Sequence, residues 1–278
     1  LAWCEAARGA RHSTQRKSTP YSMGWAPAFL SLLSSSAKGR CRLKLSRVYC
    51  AGNCEVTRHS RLGPVTAPAF TPCQSNLLAS GGSESELYIW DVTKPGNPMS
   101  PGAKSQPLDD VRCVSWNRQV QHILASTFSS RCVVWDLRKN DPIIKVSDST
   151  SRMRCKVVAW HPEVATQMCL ASEDDHTPII QIWDLRQASS PLKTLEGHHK
   201  GILSVAWCKD DPDLLLSCGK DNRLMVWNPN SPQGEIVAEL PTSNQWSFEV
   251  SWCPRNPGVI ASASFDGHVS VHSLMGGQ

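Results

Sequence analysis

The sequence predicts an all-β fold of the β-propeller type, and three repeated patterns carry that prediction. An apolar run ends in Trp-Asp or a variant of it at spacings of 45, 48, 44 and 44 residues. A second apolar run ends in tryptophan at spacings of 44, 47 and 45 residues. A third run, such as "NLLASGG" or "LLLSCGK", lies between them in every unit. The first series comprises Trp90-Asp91, Trp135-Asp136, Trp183-Asp184, Trp227-Asn228 and the degenerate Val271-His272, and the second comprises Trp116, Trp160, Trp207 and Trp252.

Each unit holds three or four short β-type runs separated by turn residues. Stretches such as "RLMVW" and "HVSVHS" alternate in the way strands do, and no helical period is sustained over 65–275. Four short strands every 44 to 48 residues form the pattern of a propeller blade. Because one blade cannot bury both of its faces, neighbouring blades must stack. The predicted units lie near 63–106, 107–148, 149–195, 196–241 and 242–278, within one propeller at 63–278.

Residues 1–62 differ from the repeats in composition. Residues 1–60 carry ten Lys and Arg against two acids, whereas 61–278 carry nineteen against twenty-two. We expect a basic, mostly disordered segment without homology to the propeller, as an alternative start or retained intronic sequence would give. A secretory signal at 23–39 is disfavoured because that stretch begins more than twenty residues into the chain. No apolar run is long enough to predict a membrane span.

The chain has 12 cysteines, and most of them fit a reducing compartment. The pair Cys50 and Cys54, with His59, lacks the further ligands that a zinc site needs, so no metal site is predicted. Seven others lie in or beside apolar runs and are predicted to be buried, reduced residues: Cys113, Cys132, Cys155, Cys169, Cys208, Cys218 and Cys253.

The stretches "EGHHKGILSVAW" and "LLLSCGKDNRLMVWN" resemble blades of the WD-repeat family. In that family a histidine before the first strand, a serine in the second, an aspartate in the next turn and a tryptophan in the third form a hydrogen-bonded set. The resemblance implies that His198, Ser217, Asp221 and Trp227 form this set. Other units depart from it: the Asp221 position holds Glu84, Ser129 and Thr177, and the last unit has Asp266 one residue late.

A histidine, a serine and an aspartate also suggest a hydrolase, but the chain has no G-x-S-x-G turn. No phosphate-binding glycine loop is present either, so no catalytic and no cofactor-binding residue is predicted, and no small-molecule substrate. The acidic run at 173–176 is interpreted as an exposed loop, because four consecutive residues cannot all face one ion. The basic stretch at 38–47 lacks an aromatic platform, so no specific nucleic-acid binding is expected.

Longer stretches indicate a closer resemblance. These include "YIWDVTKPGNPMSPGAKSQP", "HPEVATQMCLASEDD" and "WCPRNPGVIASASFDGHVSVHSLMGG". They are similar to the N-terminal propeller of the larger outer-cage subunit of the COPII vesicle coat, over about 63–278. That propeller has seven blades, of which five are recognisable here. The resemblance therefore implies an open arc with exposed edges, marginally stable by itself.

The same resemblance implies a non-enzymatic scaffold for vesicle budding and transport from the endoplasmic reticulum to the Golgi. Its expected partners are the smaller outer-cage subunit, other copies of the larger subunit and the inner coat. Membrane association would be peripheral, through the coat, at endoplasmic reticulum exit sites on the cytosolic face. The alternative is a generic WD-repeat adaptor that binds a peptide or partner protein. Candidate contact loops are 93–110, 138–152 and 228–236.

Overall fold

The computed structural model describes residues 67–70, 76–91, 93, 98–147, 153–232, 235–242 and 244–274. These residues form 18 strands in five antiparallel sheets, which we number as blades 1 to 5. The predicted basic segment at 1–62, with Cys50, Cys54 and His59, lies outside the described residues. Within the described residues, no helix has the length and apolar character needed to cross a membrane.

The strands follow chain order within every blade. Blade 1 contains β1 (Ala67–Phe70), β2 (Leu77–Gly81) and β3 (Leu87–Asp91). Blade 2 contains β4 (Cys113–Trp116), β5 (Ile123–Thr127), β6 (Cys132–Asp136) and β7 (Asp141–Val146). Blade 3 contains β8 (Cys155–Trp160), β9 (Gln167–Ser172), β10 (Ile180–Asp184) and β11 (Lys193–Leu195), with a 3₁₀ turn at Leu185–Gln187. Blade 4 contains β12 (Ile202–Trp207), β13 (Leu215–Gly219), β14 (Leu224–Trp227) and β15 (Ile236–Leu240), and blade 5 contains β16 (Ser247–Cys253), β17 (Asn256–Ser264) and β18 (Val269–Ser273).

The apolar core lies between consecutive blades. Four buried clusters each draw side chains from two neighbouring blades, and the repeat tryptophans Trp135, Trp183 and Trp227 are among the largest fully buried side chains. The first strands contact one another in series, from β1 through β4, β8 and β12 to β16, and so form the inner row of the array. Three four-stranded and two three-stranded antiparallel sheets, stacked in this way, confirm the predicted all-β propeller.

Three members of the second tryptophan series, those of blades 2, 3 and 5, link their blade to the one before it. The indole N–H of Trp116 donates to the carbonyl oxygen of Ala69 at 3.0 Å, and that of Trp160 donates to Ser115 at 3.0 Å. Trp252 donates to Ala206 at 2.8 Å. Each bond joins the end of one first strand to the first strand of the preceding blade. The regular spacing of this series therefore reflects contacts between blades, which the sequence pattern did not reveal.

The seven cysteines of the described residues lie in or beside these clusters, and none of them is in a disulfide. Burial raises the pKa of the Cys169 thiol to about 12 and raises the pKa of Cys132 as well. A thiol with so high a pKa stays protonated and unreactive at neutral pH. Five of the seven are buried and pack as small apolar side chains, as predicted, whereas Cys113 and Cys253 are only half-buried.

Two details of the sequence prediction were wrong. The loop predicted at 138–152 contains a strand, β7, whose residues alternate between exposed and half-buried along the outer side of blade 2. The alignment of Val271-His272 with Trp-Asp was also wrong by one residue. Trp227 pairs with Leu215 in blade 4, and His272 pairs with Ile260 at the same place in blade 5.

The physical reason for the second error is the two-residue period of a strand. A slip of one residue moves a side chain to the opposite face of the sheet, and apolar character alone favoured Val271. In the structure, 57% of the Val271 side chain is exposed and His272 points to the other face. With His272 in the tryptophan place, Asp266 comes into phase with Asp221 and is not one residue late.

Candidate functional site

Blade 4 contains a directed chain of hydrogen bonds through the four residues that the family resemblance implied. The indole N–H of Trp227 donates to the hydroxyl oxygen of Ser217 at 2.7 Å. The Ser217 hydroxyl lies 2.6 Å from Nε2 of His198, and Nδ1 of His198 lies 2.9 Å from Oδ2 of Asp221. Every group is satisfied when His198 is neutral, with Nδ1 donating to the carboxylate and Nε2 accepting from the hydroxyl.

The local backbone holds the Asp221 carboxylate in position. It accepts the backbone N–H of His199 at 2.9 Å and that of Arg223 at 3.3 Å. Between them Asn222 has a φ of 62°, a left-handed conformation that asparagine adopts more readily than most residues. The tight turn "KDNR" thus directs the carboxylate toward the loop that leads into β12. One turn residue joins the second and third strands of the blade to its first.

Electrostatics agree with this arrangement. Burial by itself would raise the pKa of Asp221, but the hydrogen bonds from His198, His199 and Arg223 outweigh it and hold the pKa below its ordinary value. The carboxylate is therefore charged at neutral pH. It forms the fixed, anionic end of the network.

The set contains the residue types of a hydrolase triad, but it is not placed where a substrate could reach it. The Ser217 side chain is 0% exposed, and its oxygen already accepts the indole N–H of Trp227. No substrate carbonyl can approach that oxygen without disrupting blade 4. The set can fix β13, β14, the turn between them and the loop that leads into β12 to one another, and we assign it that structural role.

The other blades keep only parts of the network. The tryptophan-to-serine bond recurs as Trp90 to Ser80 at 2.7 Å and Trp135 to Ser126 at 2.9 Å. In blade 3, Leu170 occupies the serine place, opposite Gln181, and the indole of Trp183 donates to the Gln181 side chain at 3.0 Å. In blade 5 the pair is Ser262 and His272, with a longer separation of 3.3 Å.

In blade 2, the carboxylate that links the turn to the incoming loop belongs to the loop, and its donor belongs to the turn. The carboxylate belongs to Asp109, in the loop before β4, and it accepts the backbone N–H and the hydroxyl of Ser129 in the turn. Burial tends to raise the pKa of Asp109, yet these bonds lower it overall. The sequence comparison placed Ser129 at the Asp221 position but missed Asp109. The signal was an acid seven residues before Trp116, whereas His198 lies nine residues before Trp207, so an alignment on the histidine overlooks it.

The acidic run at 173–176 connects blades and does not form a metal site. Asp175 accepts the backbone N–H of Gly201 at 2.9 Å and lies 3.2 Å from Nζ of Lys220, both in blade 4. Glu173 lies 3.1 Å from Nζ of Lys156. Asp175 and His176 are exposed, as predicted, whereas Glu173 is half-buried. Across the described ranges, no group of three acidic, histidine or cysteine side chains is arranged to hold a metal ion.

The Asp or Asn of each Trp-Asp pair ends the third strand of its blade. Its Oδ1 accepts the backbone N–H two residues later, in Asp91 to Thr93, Asp136 to Arg138, Asp184 to Arg186 and Asn228 to Asn230. In blade 2 the guanidinium of Arg138 also binds Asp136 and lowers the pKa of that carboxyl to about 2. This side-chain turn stops the strand and sends the chain outward.

Comparison with known proteins identifies the same fold and repeat. The family model described as "WD domain, G-beta repeat" matches residues 189–228, which include the complete network of blade 4. The chain is 56% identical over 250 residues to "Protein transport protein Sec31A" of Danio rerio, covering 88% of this chain and 20% of that protein. It is 61% identical over 216 residues to Sec31A of Homo sapiens, covering 77% of this chain and 18% of that protein.

A solved structure described as "COPII on membranes, outer coat vertex" superposes with a TM-score of 0.70 at 39% identity. The match covers 76% of this chain and 57% of that one. The chain thus spans about a fifth of the length of the Sec31A relatives. An identity of 56% over 250 residues involves many more positions than the Trp-Asp pairs supply. The described propeller is a WD-repeat domain of the Sec31 type.

Proposed function

We propose that this chain acts as a non-enzymatic scaffold of the COPII outer coat, in vesicle budding and transport from the endoplasmic reticulum to the Golgi. The observation that carries the proposal is the match to an outer-coat vertex structure at 39% identity over 76% of the chain. Similarity to Sec31A proteins of fish and mammals supports it. A function that depends on surface contacts requires similarity at surface positions as well as in the core.

The internal geometry suits a scaffold. Hydrogen bonds from Trp116, Trp160 and Trp252 tie blades 2, 3 and 5 to the blades before them, and the blade 4 network fixes strands within a blade. Rigid strands of this kind hold connecting loops in fixed positions for partner binding. The set formed by His198, Ser217 and Asp221 lies inside blade 4 and serves the fold, which supports a role without catalysis.

The proposed partners are the smaller outer-cage subunit, other copies of the larger subunit and the inner coat. Membrane association would follow from coat assembly, on the cytosolic face at endoplasmic reticulum exit sites. A second solved structure, described as "The structure of the COPII coat assembled on membranes", matches with a TM-score of 0.70 and supports this assignment. The loops at 93–110, 138–152 and 228–236 are proposed contact regions, and β7 within the second presents one exposed edge.

A chimera tests the proposal. Residues 63–278 would replace the aligned segment of full-length zebrafish Sec31A, and coat assembly on liposomes would be measured with the remaining coat proteins. We expect the chimera to assemble as the parent protein does, and a parent lacking the segment to serve as the negative control. A folded chimera that fails to join the coat would contradict the proposal. Recovery of unrelated adaptors with 63–278 as bait would favour the generic WD-repeat reading.

A further inference from the structure

We propose that Ser190 is a phosphorylation site for a protein kinase of the proline-directed class, and that the phosphate weakens the contact of Lys193 with blade 4. The sequence at this place is "SSPLK", residues 189–193. The inference is independent of the coat role, because it rests only on the sequence, the exposure and the contacts of this segment.

The segment joins the third strand of blade 3 to the fourth and lies on the surface. It follows the 3₁₀ turn at Leu185–Gln187 and enters β11 at Lys193. Ser189 and Ser190 are exposed, and Leu192 is 63% exposed. A kinase holds its substrate in an extended conformation over several residues. An exposed connection next to a strand of three residues at the edge of a blade adopts that conformation at low cost.

Pro191 and Lys193 indicate the class of kinase. Proline has no backbone N–H, and its ring favours an extended conformation of the residue before it, here Ser190. Proline-directed kinases offer no acceptor for an N–H at the position after the modified residue, so they select proline there. A basic side chain at the third position after the modified residue strengthens recognition by these kinases, and Lys193 occupies that position.

Ser190 differs from the other serines and threonines that precede a proline. Within the described ranges these pairs have Ser100, Thr177, Ser190 and Ser231 as their first residue. Among them, Ser190 alone is followed by a basic residue at the third position. The Thr177 hydroxyl is buried, and the Ser100 hydroxyl donates to the carbonyl oxygen of Gly102 at 2.7 Å. Sequence and exposure therefore both favour Ser190.

The modification is a phosphoryl transfer from ATP. The hydroxyl oxygen of Ser190 attacks the γ-phosphorus, and a new O–P bond forms as the bond between that phosphorus and the oxygen of the leaving ADP breaks. The hydroxyl proton passes to a carboxylate of the kinase. The phosphoserine carries a charge of about −2 at neutral pH and three strong acceptor oxygens.

Lys193 connects this segment to blade 4. Its ammonium group donates to the carbonyl oxygen of Pro229 at 2.5 Å and lies 3.0 Å from the Glu235 carboxylate. Both partners belong to the loop that leads into β15. The side chains of Lys193 and Glu235 are 35% and 32% exposed, so solvent and new charges reach the pair.

The phosphate competes with Glu235 for this ammonium group. It would lie three residues before Lys193, whereas the other cation of the segment, Arg186, already binds the Asp184 carboxylate through Nε and Nη2. A dianion attracts the ammonium more strongly than one carboxylate does, and it repels Glu235. Phosphorylation of Ser190 therefore weakens the contact between β11 and the loop before β15.

A kinase assay with the purified chain tests the site. The chain is incubated with a cyclin-dependent kinase and Mg-ATP, and mass spectrometry locates the phosphate. We expect one phosphate, on Ser190, which Ser190→Ala abolishes. Pro191→Ala should lower the initial rate by about tenfold or more, because it adds an N–H that the kinase leaves unpaired. The matched control Ser189→Ala should leave the rate unchanged.

Three results would overturn the assignment. One is preferential phosphate incorporation at Ser100 or Ser231, and another is an unchanged rate for Pro191→Ala. The third is modification of a synthetic peptide of residues 186–196 while the folded chain stays unmodified, since the fold would then shield the segment.

Amide hydrogen exchange tests the effect of the phosphate. The phosphorylated chain should exchange faster than the unmodified chain in β15, whereas β7 of blade 2 should exchange equally in both. Lys193→Gln, which lacks the contact, should show the faster exchange in β15 without phosphate. Unchanged exchange in β15 on phosphorylation, or an equal increase in β7, would overturn the proposed release of Lys193.

Discussion

Blades 4 and 5 carry equivalent residues 45 positions apart but use them differently. In blade 4, Asp221 reaches across to His198 in the incoming loop, and all of β14 is buried. In blade 5, Asp266 binds Ser264 and His268 of its own turn, and β18 alternates between exposed and half-buried. An aspartate in the turn is thus not sufficient for the network. A histidine must face it from the incoming loop, and neighbouring strands must exclude water.

The tryptophan place shows the same difference. Trp227 is 0% exposed, donates to Ser217 at 2.7 Å and packs in the cluster between blades 3 and 4. His272, in the equivalent place, lies 3.3 Å from Ser262 and is half-buried. An imidazole fills less volume than an indole and forms the longer bond. Blade 4 is therefore expected to contribute more to the stability of the propeller than blade 5.

The largest effect should come from truncating the two equivalent side chains. Trp227→Ala opens a cavity in the core and should lower the free energy of unfolding by about 3–5 kcal/mol. His272→Ala is the matched control and should cost much less, because its side chain is smaller and less buried. Urea denaturation followed by tryptophan fluorescence measures both. Equal losses would show that the two blades are equally packed.

A smaller loss is expected from the two turn aspartates. Asp221→Ala leaves the His198 imidazole and two backbone N–H groups without their acceptor, which should cost about 1–3 kcal/mol. Asp266→Ala removes an exposed carboxylate that binds only its own turn, and its effect on stability should be much smaller. Thermal melting of the two variants provides the comparison. An unchanged melting midpoint for Asp221→Ala would refute the structural role of the network.

The first strands of blades 4 and 5 differ at one position that carries an ionisable side chain only in blade 5. Glu249 in β16 occupies the place of Ser204 in β12, three residues before the tryptophan, and burial raises its pKa to about 8. The folded pKa lies above the ordinary value of 4.5, so the folded chain holds this proton more tightly than the unfolded chain. Stability from this group is complete below the unfolded pKa and is lost as pH rises from there through about 8.

Glu249→Gln removes that dependence. The variant should be more stable than the parent chain at pH near 8 and no more stable at pH near 4.5, with a modest difference because solvent reaches part of the side chain. Melting midpoints across this range measure it, with Glu239→Gln as a control in the exposed part of blade 4. Parallel pH profiles for Glu249→Gln and the parent would contradict the assignment.

The smallest effect is expected at the two serines. Ser217→Ala removes a hydroxyl that links an indole and an imidazole, and should cost about 1 kcal/mol. Ser262→Ala breaks one longer contact and should cost less. Thermal melting measures both variants, and the difference between their melting midpoints tests the prediction. A larger loss for Ser262→Ala would reverse the proposed ranking of the blades.

Much of the fold was predictable because its signals repeat. The Trp-Asp pairs and the strand-ending tryptophans recur at nearly constant spacing, and each marks a strand end in the structure. The residues of the blade 4 network were predictable from one family motif, and all four lie in one chain of hydrogen bonds. The register of the last blade was not, because apolar residue type does not reveal which face of a strand a side chain occupies.

The hydrogen bonds that join distant parts of the chain could not be predicted from the sequence, for a different reason. Asp109 and Ser129, like Trp160 and Ser115, meet only after the chain has completed a blade or a hairpin. The tryptophans of these links recur in the sequence, but their partners differ in residue type from one blade to the next, so no repeated residue marks the partner. In blade 3, Gln181 on the third strand accepts the tryptophan N–H that a serine on the second strand accepts in other blades. An alignment of repeats compares residues at the same place of the same strand, so it does not detect this replacement.

The sequence by itself determined that the chain folds as stacked blades of three or four strands, since strand periodicity and repeat spacing are local properties that burial imposes on each unit. Only the tertiary structure decided where each turn carboxylate points. That choice depends on which donor the neighbouring loop presents and how far water is excluded. Asp221 therefore ties its blade together, Asp175 reaches the next blade, and Asp266 closes only its own turn.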